Sequence, residues 1–300
     1  MRELNFDFPG LRIGIAEYPE GPTGCTVFVF DKVVLSSADV RGGSSGTVFA
    51  DEYGFVKAIC FAGGSLMGLE AAAGVASAIF AERGHEHVEW SDVPLVAGAI
   101  VFDFDRKTGA YPDKALGAQA YHAAKAGVFP MGRAGAARNV FVGKGIAGLK
   151  SEPGGQGGSF AEVGEAKIAV FTVLNSVGAI VGRDGKVVRG HLDSGTGERR
   201  HLAEALLRGG ETRAEPNKNT TLTVVATNQK LSARDLRQFG RQVHASMARA
   251  IQPFHTPFDG DTLFAVTTNA VSEPRLADVA ALGAVAAEVA WDAVLAAVAD

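Results

Sequence analysis

Glycine constrains this chain more than any other residue type, because it makes up 38 of the 300 residues, well above the usual share of roughly 7%. The glycines follow no fixed period and gather in clusters that each lie beside an apolar stretch. The clusters fall at 21–24, 42–46, 63–68, 132–135 and 154–158. Glycines placed in this way are typical of tight turns and close backbone approaches. The sequence therefore predicts an ordered α/β protein rather than a chain with flexible linkers.

Composition excludes several classes of protein. Hydrophobic residues make up 47% of the chain and charged residues 21%, which is typical of a globular protein and excludes disorder. At this length we expect one large domain or two medium ones. The net charge is −4 and basic residues form no run, which argues against a nucleic-acid partner.

The sequence also carries signals about its compartment. Met1 is followed by Arg2, Glu3 and Asn5 with no apolar segment, so we expect no secretory signal. Apolar runs such as 93–102 are too short to span a bilayer. Both cysteines lie in apolar, strand-like surroundings, as reduced core residues do. These features predict a cytoplasmic protein without a membrane partner.

Strand and helix patterns alternate in the first half of the chain and again in its last quarter. The predicted strands are 25–30, 56–61, 93–102, 167–181 (one long strand or a pair), 220–227 and 262–267, and the predicted helices are 65–83, 112–126, 232–252 and 274–298. Ser232, with Asp235 three residues later, resembles a capping box at the start of its helix. Alternation of this kind favours a layered α/β architecture.

The composition changes over 182–219, where arginine, glutamate, aspartate and glycine crowd together. This stretch predicts a mobile surface connection with one short helical turn at 202–207. It ends at Asn219, directly before the strand that Thr220 opens. If the bond between these two residues were cut, the new α-amine of Thr220 could serve its own hydroxyl as general base. From the residues alone, an uncut junction is the more economical interpretation.

Several polar residues are ambiguous when each is taken alone. Asn175 interrupts an apolar strand, and a buried amide without partners costs about 1–3 kcal/mol, so it either ties strands together or faces a site. Lys144, Asp259 and Asp261 are compatible with plain surface charges. The histidines at 244 and 255 are isolated and are expected to be structural.

Two glycine-rich turns invite a functional interpretation. The segment 42–46 reads Gly-Gly-Ser-Ser-Gly, like a nucleophile elbow, but no convincing helix start follows it, so a plain turn is favoured. The turn Gly63-Gly64-Ser65 joins a strand to a helix. Its N–H groups either hold an oxyanion or belong to an ordinary turn capped by Ser65. We keep Gly63, Gly64 and Ser65 as candidate oxyanion or substrate-binding residues.

One cluster contains the residue types of a metal site, namely His85, Glu86, His87 and Glu89. It follows a helix end in polar sequence, and no further ligand set has zinc-like spacing. A solvated loop is therefore favoured, and no metal is predicted.

Nine segments carry a family resemblance. They are Phe6-Asp7-Phe8-Pro9-Gly10, Gly21-Pro22-Thr23-Gly24, Asp39-Val40-Arg41-Gly42-Gly43, Ala62-Gly63-Gly64-Ser65, Tyr111-Pro112-Asp113-Lys114-Ala115-Leu116-Gly117, Gly132-Arg133-Ala134-Gly135, Asn219-Thr220-Thr221, Gln252-Pro253-Phe254-His255-Thr256 and Asp259-Gly260-Asp261-Thr262-Leu263-Phe264-Ala265-Val266. Through them the chain resembles the self-cleaving peptidase family of L-aminopeptidase/D-esterase and the β-peptidyl aminopeptidases, with the greatest similarity to its nylon-oligomer hydrolase branch. The segments span nearly the whole chain in order, which reverses the interpretation of the junction at Thr220.

The resemblance implies a four-layer α/β/β/α sandwich similar to N-terminal-nucleophile hydrolases. Residues 1–300 would form a single hydrolase domain that cuts itself between Asn219 and Thr220. The products would be a large subunit, 1–219, and a small subunit, 220–300, which stay associated. The family needs no metal or organic cofactor, and it suggests a homo-oligomer, namely a tetramer of cleaved protomers.

The resemblance also implies roles for the ambiguous polar residues. Thr220 would be the nucleophile, Lys144 a charge partner, and Asn175 an amide donor to the tetrahedral oxyanion. Asp259 and Asp261 would orient the new amine and the hydroxyl. A cation, two carboxylates and a donated hydrogen bond around an amine are a coherent way to tune its pKa and to stabilise developing charge.

Two positions depart from the family pattern. Relatives often carry an aromatic residue where this chain has Met67, and several carry a tyrosine near the oxyanion where this chain has Phe102. The missing hydroxyl affects the expected substrate contacts and leaves the expected nucleophile unchanged.

The implied activity is hydrolysis of linear oligoamides, such as 6-aminohexanoate (nylon) oligomers, through an acyl-enzyme. Three alternatives stay open: an aminopeptidase or esterase acting on small peptides or β-peptides, an acyl transferase, and an uncleaved binding or scaffold protein.

Overall fold

The computed structural model describes residues 2–84, 89–104, 108–212, 218–272, 276 and 278–299. Three predictions touch the remaining residues. His85, Glu86 and His87 of the possible metal cluster, residues 213–217 of the predicted connection, and the predicted helix start at 274 lie outside the described part.

The described residues form five α-helices and seventeen strands. The helices are α1 Leu69–Glu82, α2 Lys114–His122, α3 Leu202–Leu207, α4 Ala233–Ser246 and α5 Val279–Val298. The strands are β1 Arg2–Asn5, β2 Leu11–Tyr18, β3 Thr23–Val40, β4 Thr47–Val48, β5 Phe55–Ala62, β6 Val96–Ile100, β7 Lys125–Ala126, β8 Val128–Met131, β9 Phe141–Val142, β10 Glu152–Pro153, β11 Gln156–Val163, β12 Ala166–Asn175, β13 Ala179–Val181, β14 Val187–Arg189, β15 Thr220–Gln229, β16 Ile251–Gln252 and β17 Thr262–Val271.

Ten strands form one hydrogen-bonded sheet, and the long strand β3 divides it into two halves that pack face to face as the two sheet layers. The first half of β3 pairs with β2 and β5, which continue into the order β7-β2-β3-β5-β6-β4. Its second half pairs with β17, within the order β11-β12-β15-β17-β3. The register with β5 shifts between Val29 and Val34. A shift of this kind bends a strand, and it lies where β3 passes from one sheet to the other.

Three apolar cores separate four layers. Phenylalanines from both sheets, including Phe28, Phe61, Phe171 and Phe264, fill the space between the sheets. A second core lies between α1, α2 and the sheet of β2, β5 and β6. A third lies between α4, α5 and the sheet of β12, β15 and β17. The order helix, sheet, sheet, helix confirms the predicted α/β/β/α sandwich.

Glycine permits the close contacts between layers. A Cβ built on Gly157 of β11 would lie 2.2 Å from the carbonyl oxygen of Ala293 in α5, and one built on Gly14 of β2 would lie 2.0 Å from that of Ala120 in α2. Both distances are far below van der Waals contact, so the helices reach the sheets only because these positions lack side chains. The interpretation of glycine as a mark of close packing holds at these two positions.

The local signals account for where helices begin. Ser232 caps α4 by accepting a hydrogen bond from the backbone N–H of Asp235, as predicted. The predicted helix at 112–126 is shorter in the structure. Its N-cap is Asp113, whose side chain accepts from Leu116, and Lys125–Ala126 pairs with β2 instead. The predicted helix at 65–83 likewise begins with a 3₁₀ turn, Ser65–Gly68, before α1.

The predicted connection at 182–219 has secondary structure in its described part. It contains β14 and α3, and α3 coincides with the predicted turn at 202–207. The buried Glu152 holds it by accepting from Arg199 Nε at 2.6 Å, Arg199 Nη2 at 2.8 Å and the N–H of Gly190 at 2.7 Å. Its mobility stays a prediction. The predicted strand at 167–181 is divided between β12 and β13, which lie in different sheets.

Two segments of the described chain, Ser65–Glu82 and Val279–Val298, are long and apolar enough to cross a membrane by length and composition alone. Both supply residues to the apolar cores under the sheets. The expectation of no membrane partner stays a prediction.

Candidate active site

Three strand ends meet at the predicted cleavage junction. Thr220, the first residue of β15, pairs directly with Asn175, the last residue of β12. Asn219 forms a bridge with Asp259 in the loop that leads into β17. Asn219 is 2% exposed and Thr220 4% exposed. The predicted catalytic residues are therefore brought together from distant parts of the sequence around one buried peptide bond.

The carbonyl group of Asn219 is held by two donors. Its oxygen accepts the N–H of Gly260 at 2.8 Å and the Thr220 hydroxyl at 2.5 Å. A Cβ on Gly260 would lie 2.7 Å from Thr220 Oγ1 and 2.8 Å from the carbonyl oxygen of Ser44. Only glycine therefore fits beside the hydroxyl. We call His255, Asp259, Gly260 and Asp261 the acid side of the junction.

Asp261 is fully buried and holds the start of β15. Its Oδ1 accepts the backbone N–H of Thr221 at 2.7 Å. Its Oδ2 accepts the backbone N–H of His255 at 3.0 Å and lies 3.1 Å from His255 Nδ1. Since both carboxylate oxygens have partners, the carboxylate has a fixed orientation beside the nucleophile.

Asp259 is equally buried and is also held at both oxygens. Oδ1 accepts the N–H of Val177 at 3.1 Å. Oδ2 accepts the N–H of Thr256 at 3.3 Å and a short hydrogen bond from the Thr256 hydroxyl. Burial, reinforced by the neighbouring Asp261 carboxylate, raises the pKa of Asp259 to about 6. Burial beside a second carboxylate therefore favours the protonated form of this carboxyl group more than an exposed position would.

The opposite side of the junction carries a cation and an amide. Lys144 Nζ donates to the carbonyl oxygen of Asn175 at 2.8 Å, to its Oδ1 at 3.0 Å and to the carbonyl oxygen of Lys218 at 3.0 Å. Asn175 Nδ2 donates to the carbonyl oxygens of Phe102 and Lys218 at 3.1 and 3.0 Å. Both side chains therefore hold the carbonyl group of Lys218.

Lys144 and Asn175 line a pocket of about 240 Å³ that ends at the junction. Its walls are formed by Phe102, Asp103, Phe104, Asn139, Phe141, Lys144, Leu149, Ser151, Asn175, Lys218 and Asn219. Phenylalanine and leucine supply an apolar surface, and a few polar side chains, including Lys144 and Asn175 beside the junction, interrupt it. This distribution is typical of a small-molecule site. We call Lys144, Asn175 and this pocket the pocket side.

The turn Gly63-Gly64-Ser65 requires a correction. The N–H of Gly63 donates to the carbonyl oxygen of Gly24 at 2.9 Å, and the N–H of Ser65 donates to that of Val101 at 3.0 Å. The N–H of Gly64 donates to Asp103 Oδ1 at 2.6 Å. All three groups bind oxygens inside the protein, so the prediction that this turn donates to an oxyanion is wrong. The turn instead positions Asp103 in the pocket wall.

The segment 42–46 supports the acid side. The N–H groups of Gly42 and Ser44 donate to the carbonyl oxygens of Asp261 and Asp259, at 3.2 and 2.9 Å. The next element is the strand β4 rather than a helix, as a plain turn requires and a nucleophile elbow does not allow. The turn interpretation is confirmed.

Sequence reasoning missed part of the acid side. Gly260 acts through its backbone, which leaves no signal beyond its position between two acidic residues. The two histidines judged isolated lie together, with ring centroids 4.3 Å apart. His244 Nδ1 lies 3.0 Å from Asp39 Oδ2, and His255 contacts Asp261 as described. Among the described residues, no group of three or more His, Cys, Asp or Glu side chains could hold a metal ion.

The two departures from the family pattern differ in their surroundings. Met67 is 52% exposed in the 3₁₀ turn before α1. Phe102 lines the pocket, and its carbonyl oxygen accepts from Asn175. Only Phe102 therefore has a direct position at the site.

Comparisons with known proteins agree with this geometry. The family described as peptidase family S58 matches residues 6–300. The chain is 46% identical to the 6-aminohexanoate-oligomer endohydrolase of Paenarthrobacter ureafaciens, covering 97% of this chain and 85% of that one. It is 32% identical to an uncharacterized aminopeptidase of Mycobacterium tuberculosis, covering 92% and 85%.

Solved structures share the fold at low sequence identity. A beta-aminopeptidase from Burkholderia sp. superposes with a TM-score of 0.70 at 17% identity, covering 96% of this chain and 84% of that one. The L-aminopeptidase D-Ala-esterase/amidase of Ochrobactrum anthropi gives 0.67 at 14% identity, covering 96% and 83%, and is described as a variant of the Ntn hydrolase fold. The α/β/β/α sandwich described above is thus of the Ntn-hydrolase type.

Proposed function

We propose, from the premise that this chain belongs to peptidase family S58, that it cuts itself between Asn219 and Thr220 and then hydrolyses linear oligoamides. Membership of this family makes it an amide-bond hydrolase of the N-terminal-nucleophile type. The observation that carries the proposal is the Thr220 hydroxyl, which lies against the carbonyl group it would attack while Gly260 holds the carbonyl oxygen.

Self-cleavage follows from this arrangement in two steps. Thr220 Oγ1 attacks the carbonyl carbon of Asn219, and the developing negative charge rests on the oxygen that accepts from Gly260. The C–N bond breaks, the hydroxyl proton passes to the nitrogen of Thr220, and an ester joins Asn219 to Thr220 Oγ1. Water then hydrolyses the ester, which leaves a carboxylate on Asn219 and an α-amine on Thr220.

Turnover uses the new terminus. The α-amine takes the proton of Thr220 Oγ1 as the oxygen attacks a substrate amide, and the substrate's amine leaves. Asn175 Nδ2 and Lys144 Nζ are placed to donate to the carbonyl oxygen of the bound acyl group. Asp259 and Asp261 orient the amine and the hydroxyl from the opposite side. Water releases the acyl group and restores the enzyme.

The substrate class follows from the relatives and from the pocket. Several relatives at 44–46% identity are 6-aminohexanoate-oligomer endohydrolases. The walls of Phe102, Phe104, Phe141 and Leu149 suit a chain of methylene groups. We therefore propose 6-aminohexanoate oligomers as substrates. Cleavage of small peptides or β-peptides from their amino ends is the second candidate, supported by the aminopeptidases that share the fold. A cytoplasmic location and a homo-oligomer stay predictions.

The test of self-cleavage is a denaturing gel with amino-terminal sequencing of the smaller band. The wild-type protein should give fragments 1–219 and 220–300, and Thr220→Ala should give one intact chain without amidase activity. Thr221→Ala is the matched control and should still divide. Division of Thr220→Ala at the same bond, or full activity in an intact chain, would contradict the proposal.

The test of substrate class uses oligomers blocked at both ends. An endohydrolase should cut the internal bonds of blocked 6-aminohexanoate oligomers. An aminopeptidase should release terminal residues from unblocked peptides and leave blocked oligomers intact. Formation of a new amide when an amine acceptor is added would indicate acyl transfer instead.

A further inference from the structure

Lys218 lines the pocket in the intact chain. Its carbonyl oxygen accepts from Asn175 Nδ2 and Lys144 Nζ, each at 3.0 Å. Its side chain lines the pocket, and its Nζ lies 5.5 Å from the centroid of the Phe102 ring, within cation–π distance. One residue therefore has its carbonyl group at the catalytic donors and its ammonium group at an aromatic wall.

Lysine has the covalent skeleton of the proposed substrate unit. From its carbonyl carbon the residue continues through Cα and four methylene groups to an ammonium nitrogen. A 6-aminohexanoyl group has the same six-carbon chain and the same terminal nitrogen, and differs only by lacking the nitrogen on Cα. Lys218 thus presents a 6-aminohexanoyl unit with one added substituent.

We infer that the pocket is the acyl subsite, that Lys218 is its internal ligand before cleavage, and that Phe102 recognises the free ammonium group of an acyl unit at the amino end of the oligomer. The inference rests on the proposed function and goes further by assigning the two ends of the unit. The carbonyl group binds at Asn175 and Lys144, and the nitrogen lies over Phe102. The distance between these two contacts then determines which length of acyl chain binds best.

The same geometry separates two carbonyl positions. The carbonyl group cut in self-cleavage belongs to Asn219 and is held by Gly260. The carbonyl group held by Asn175 and Lys144 belongs to Lys218 and is not cut in that step. Substrate can reach these donors only after the cleaved tail ending at Lys218-Asn219 has left the pocket. The tail is therefore a competitor of the substrate until it leaves.

The experiment uses the self-cleaved enzyme and p-nitroanilides that differ at one end. For 6-aminohexanoyl p-nitroanilide we expect a KM about 5- to 20-fold lower than for hexanoyl p-nitroanilide, because the deaminated compound loses the cation–π contact. The 4-aminobutanoyl compound should have no such advantage in KM over the hexanoyl compound, because its nitrogen cannot reach the ring. In Phe102→Leu, the ratio between the first two compounds should fall to about 2-fold or less.

Phe104→Leu is the matched control, since Phe104 is a second phenylalanine of the same pocket. It should keep the preference for the amino compound. Phe102→Leu keeps the backbone carbonyl group that accepts from Asn175. If Phe102→Leu loses the preference for the amino compound and Phe104→Leu keeps it, the preference depends on the aromatic ring of Phe102. Equal KM values for the amino and deaminated compounds, or a preference that survives Phe102→Leu, would overturn the inference.

Calorimetric titration with 6-aminohexanamide and hexanamide separates this inference from the proposed function. If the enzyme hydrolyses the oligomers but binds both amides equally, the inference fails and the function stands. Suppose instead that the enzyme hydrolyses neither the oligomers nor the p-nitroanilides, yet binds 6-aminohexanamide more tightly than hexanamide and loses this preference in Phe102→Leu. The proposed function then fails and the proposed subsite stands.

Discussion

The two sides of the Asn219–Thr220 bond are built on different principles. On the acid side, the carboxylate oxygens of Asp259 and Asp261 all accept hydrogen bonds from the protein itself, and both residues are at most 1% exposed. On the pocket side, Asn175 and Lys144 hold the carbonyl group of Lys218, which in the proposed mechanism leaves with the tail after cleavage. The contacts on the acid side are permanent. On the pocket side, only the hydrogen bonds to Lys218 are exchangeable in the proposed mechanism, because those from Lys144 to Asn175 and from Asn175 to Phe102 stay within the protein.

This difference assigns separate tasks to the two sides. A group that must act on a fixed bond gains from being held in place before the reaction, because it pays no reorganisation during it. A group that must accept one substrate after another needs partners that can be replaced. We therefore expect substitutions on the acid side to stop self-cleavage, and substitutions on the pocket side to act mainly on turnover.

The largest effect is expected for Gly260→Ala. The added Cβ would lie 2.7 Å from Thr220 Oγ1 and 2.8 Å from the Ser44 carbonyl oxygen, so the hydroxyl or the loop must move. Misplacing a nucleophile by about 1 Å costs on the order of 100-fold in rate, and a weakened Gly260 donor costs a further 10²–10³-fold. We expect self-cleavage to slow at least 1,000-fold, measured as the intact band over time.

The control for this substitution is Gly109→Ala. A Cβ at Gly109 meets nothing within 4 Å, so the same chemical change should leave the rate of self-cleavage unaltered. Circular dichroism of both variants checks that they fold. A folded Gly260→Ala protein that divides at the wild-type rate would show that the acid side is not held as tightly as its contacts indicate.

A smaller and more selective effect is expected for Asn175→Ala. Turnover should fall about 100-fold or more because the proposed amide donor to the substrate oxyanion is lost. Self-cleavage should fall less than about 10-fold, since the carbonyl oxygen of Asn219 accepts from Gly260 and not from Asn175. Time courses on denaturing gels give the first rate, and amidase assays of the divided protein give the second.

Asn139→Ala is the matched control on the pocket side. Asn139 lines the same pocket, and its Nδ2 donates to the carbonyl oxygen of Asp103 rather than to a group at the junction. Turnover should fall less in this variant than in Asn175→Ala. Equal losses of self-cleavage and turnover in Asn175→Ala would mean that one set of donors serves both reactions, and the comparison of the two sides would fail.

Sequence patterns predicted a layered α/β architecture because the signals of its elements are local, whereas the four-layer order was implied only by the family resemblance. The alternation at 220–227 and the helical spacing after Ser232 depend on neighbours within a few residues, and β15 and the start of α4 appear where they predict. The predicted helix end at 252 is wrong, because α4 ends at Ser246 and Ile251–Gln252 forms β16, which pairs with β13. The predicted end of α2 was less accurate, because Lys125–Ala126 pairs with β2, which lies far away in the sequence. Pairing over such a separation leaves no local pattern.

The candidate site was accessible from the sequence only through the family resemblance. Asn175, Thr220 and Asp259 are brought together by register in the sheet, which composition and spacing do not show. The turn Gly63-Gly64-Ser65 was misjudged for the same reason, since its N–H groups find acceptors up to 39 residues away. Gly260 was missed because a backbone donor has no residue type of its own.

The smallest effect concerns a carboxyl group of the pocket wall. Asp103 is 3% exposed, and burial raises its pKa to about 6. The folded protein therefore binds more protons than the unfolded chain between roughly pH 4 and 6, so the contribution of this group to stability falls as pH rises through that window. Above about pH 6 the full cost of burying the charge is present. Asp103→Asn removes the charge and keeps an oxygen that can accept from Gly64.

In the Thr220→Ala background, which we expect to remain one intact chain, Asp103→Asn should raise the free energy of unfolding at pH 8 by about 1–3 kcal/mol and change it little at pH 4. Urea unfolding at both pH values measures the difference. Asp184→Asn, at an exposed carboxyl group, should stay within about 0.5 kcal/mol at both. A loss of stability in Asp103→Asn at pH 8 would mean that the pocket side, like the acid side, depends on a fixed buried charge, and the contrast between permanent and exchangeable contacts would then be too simple.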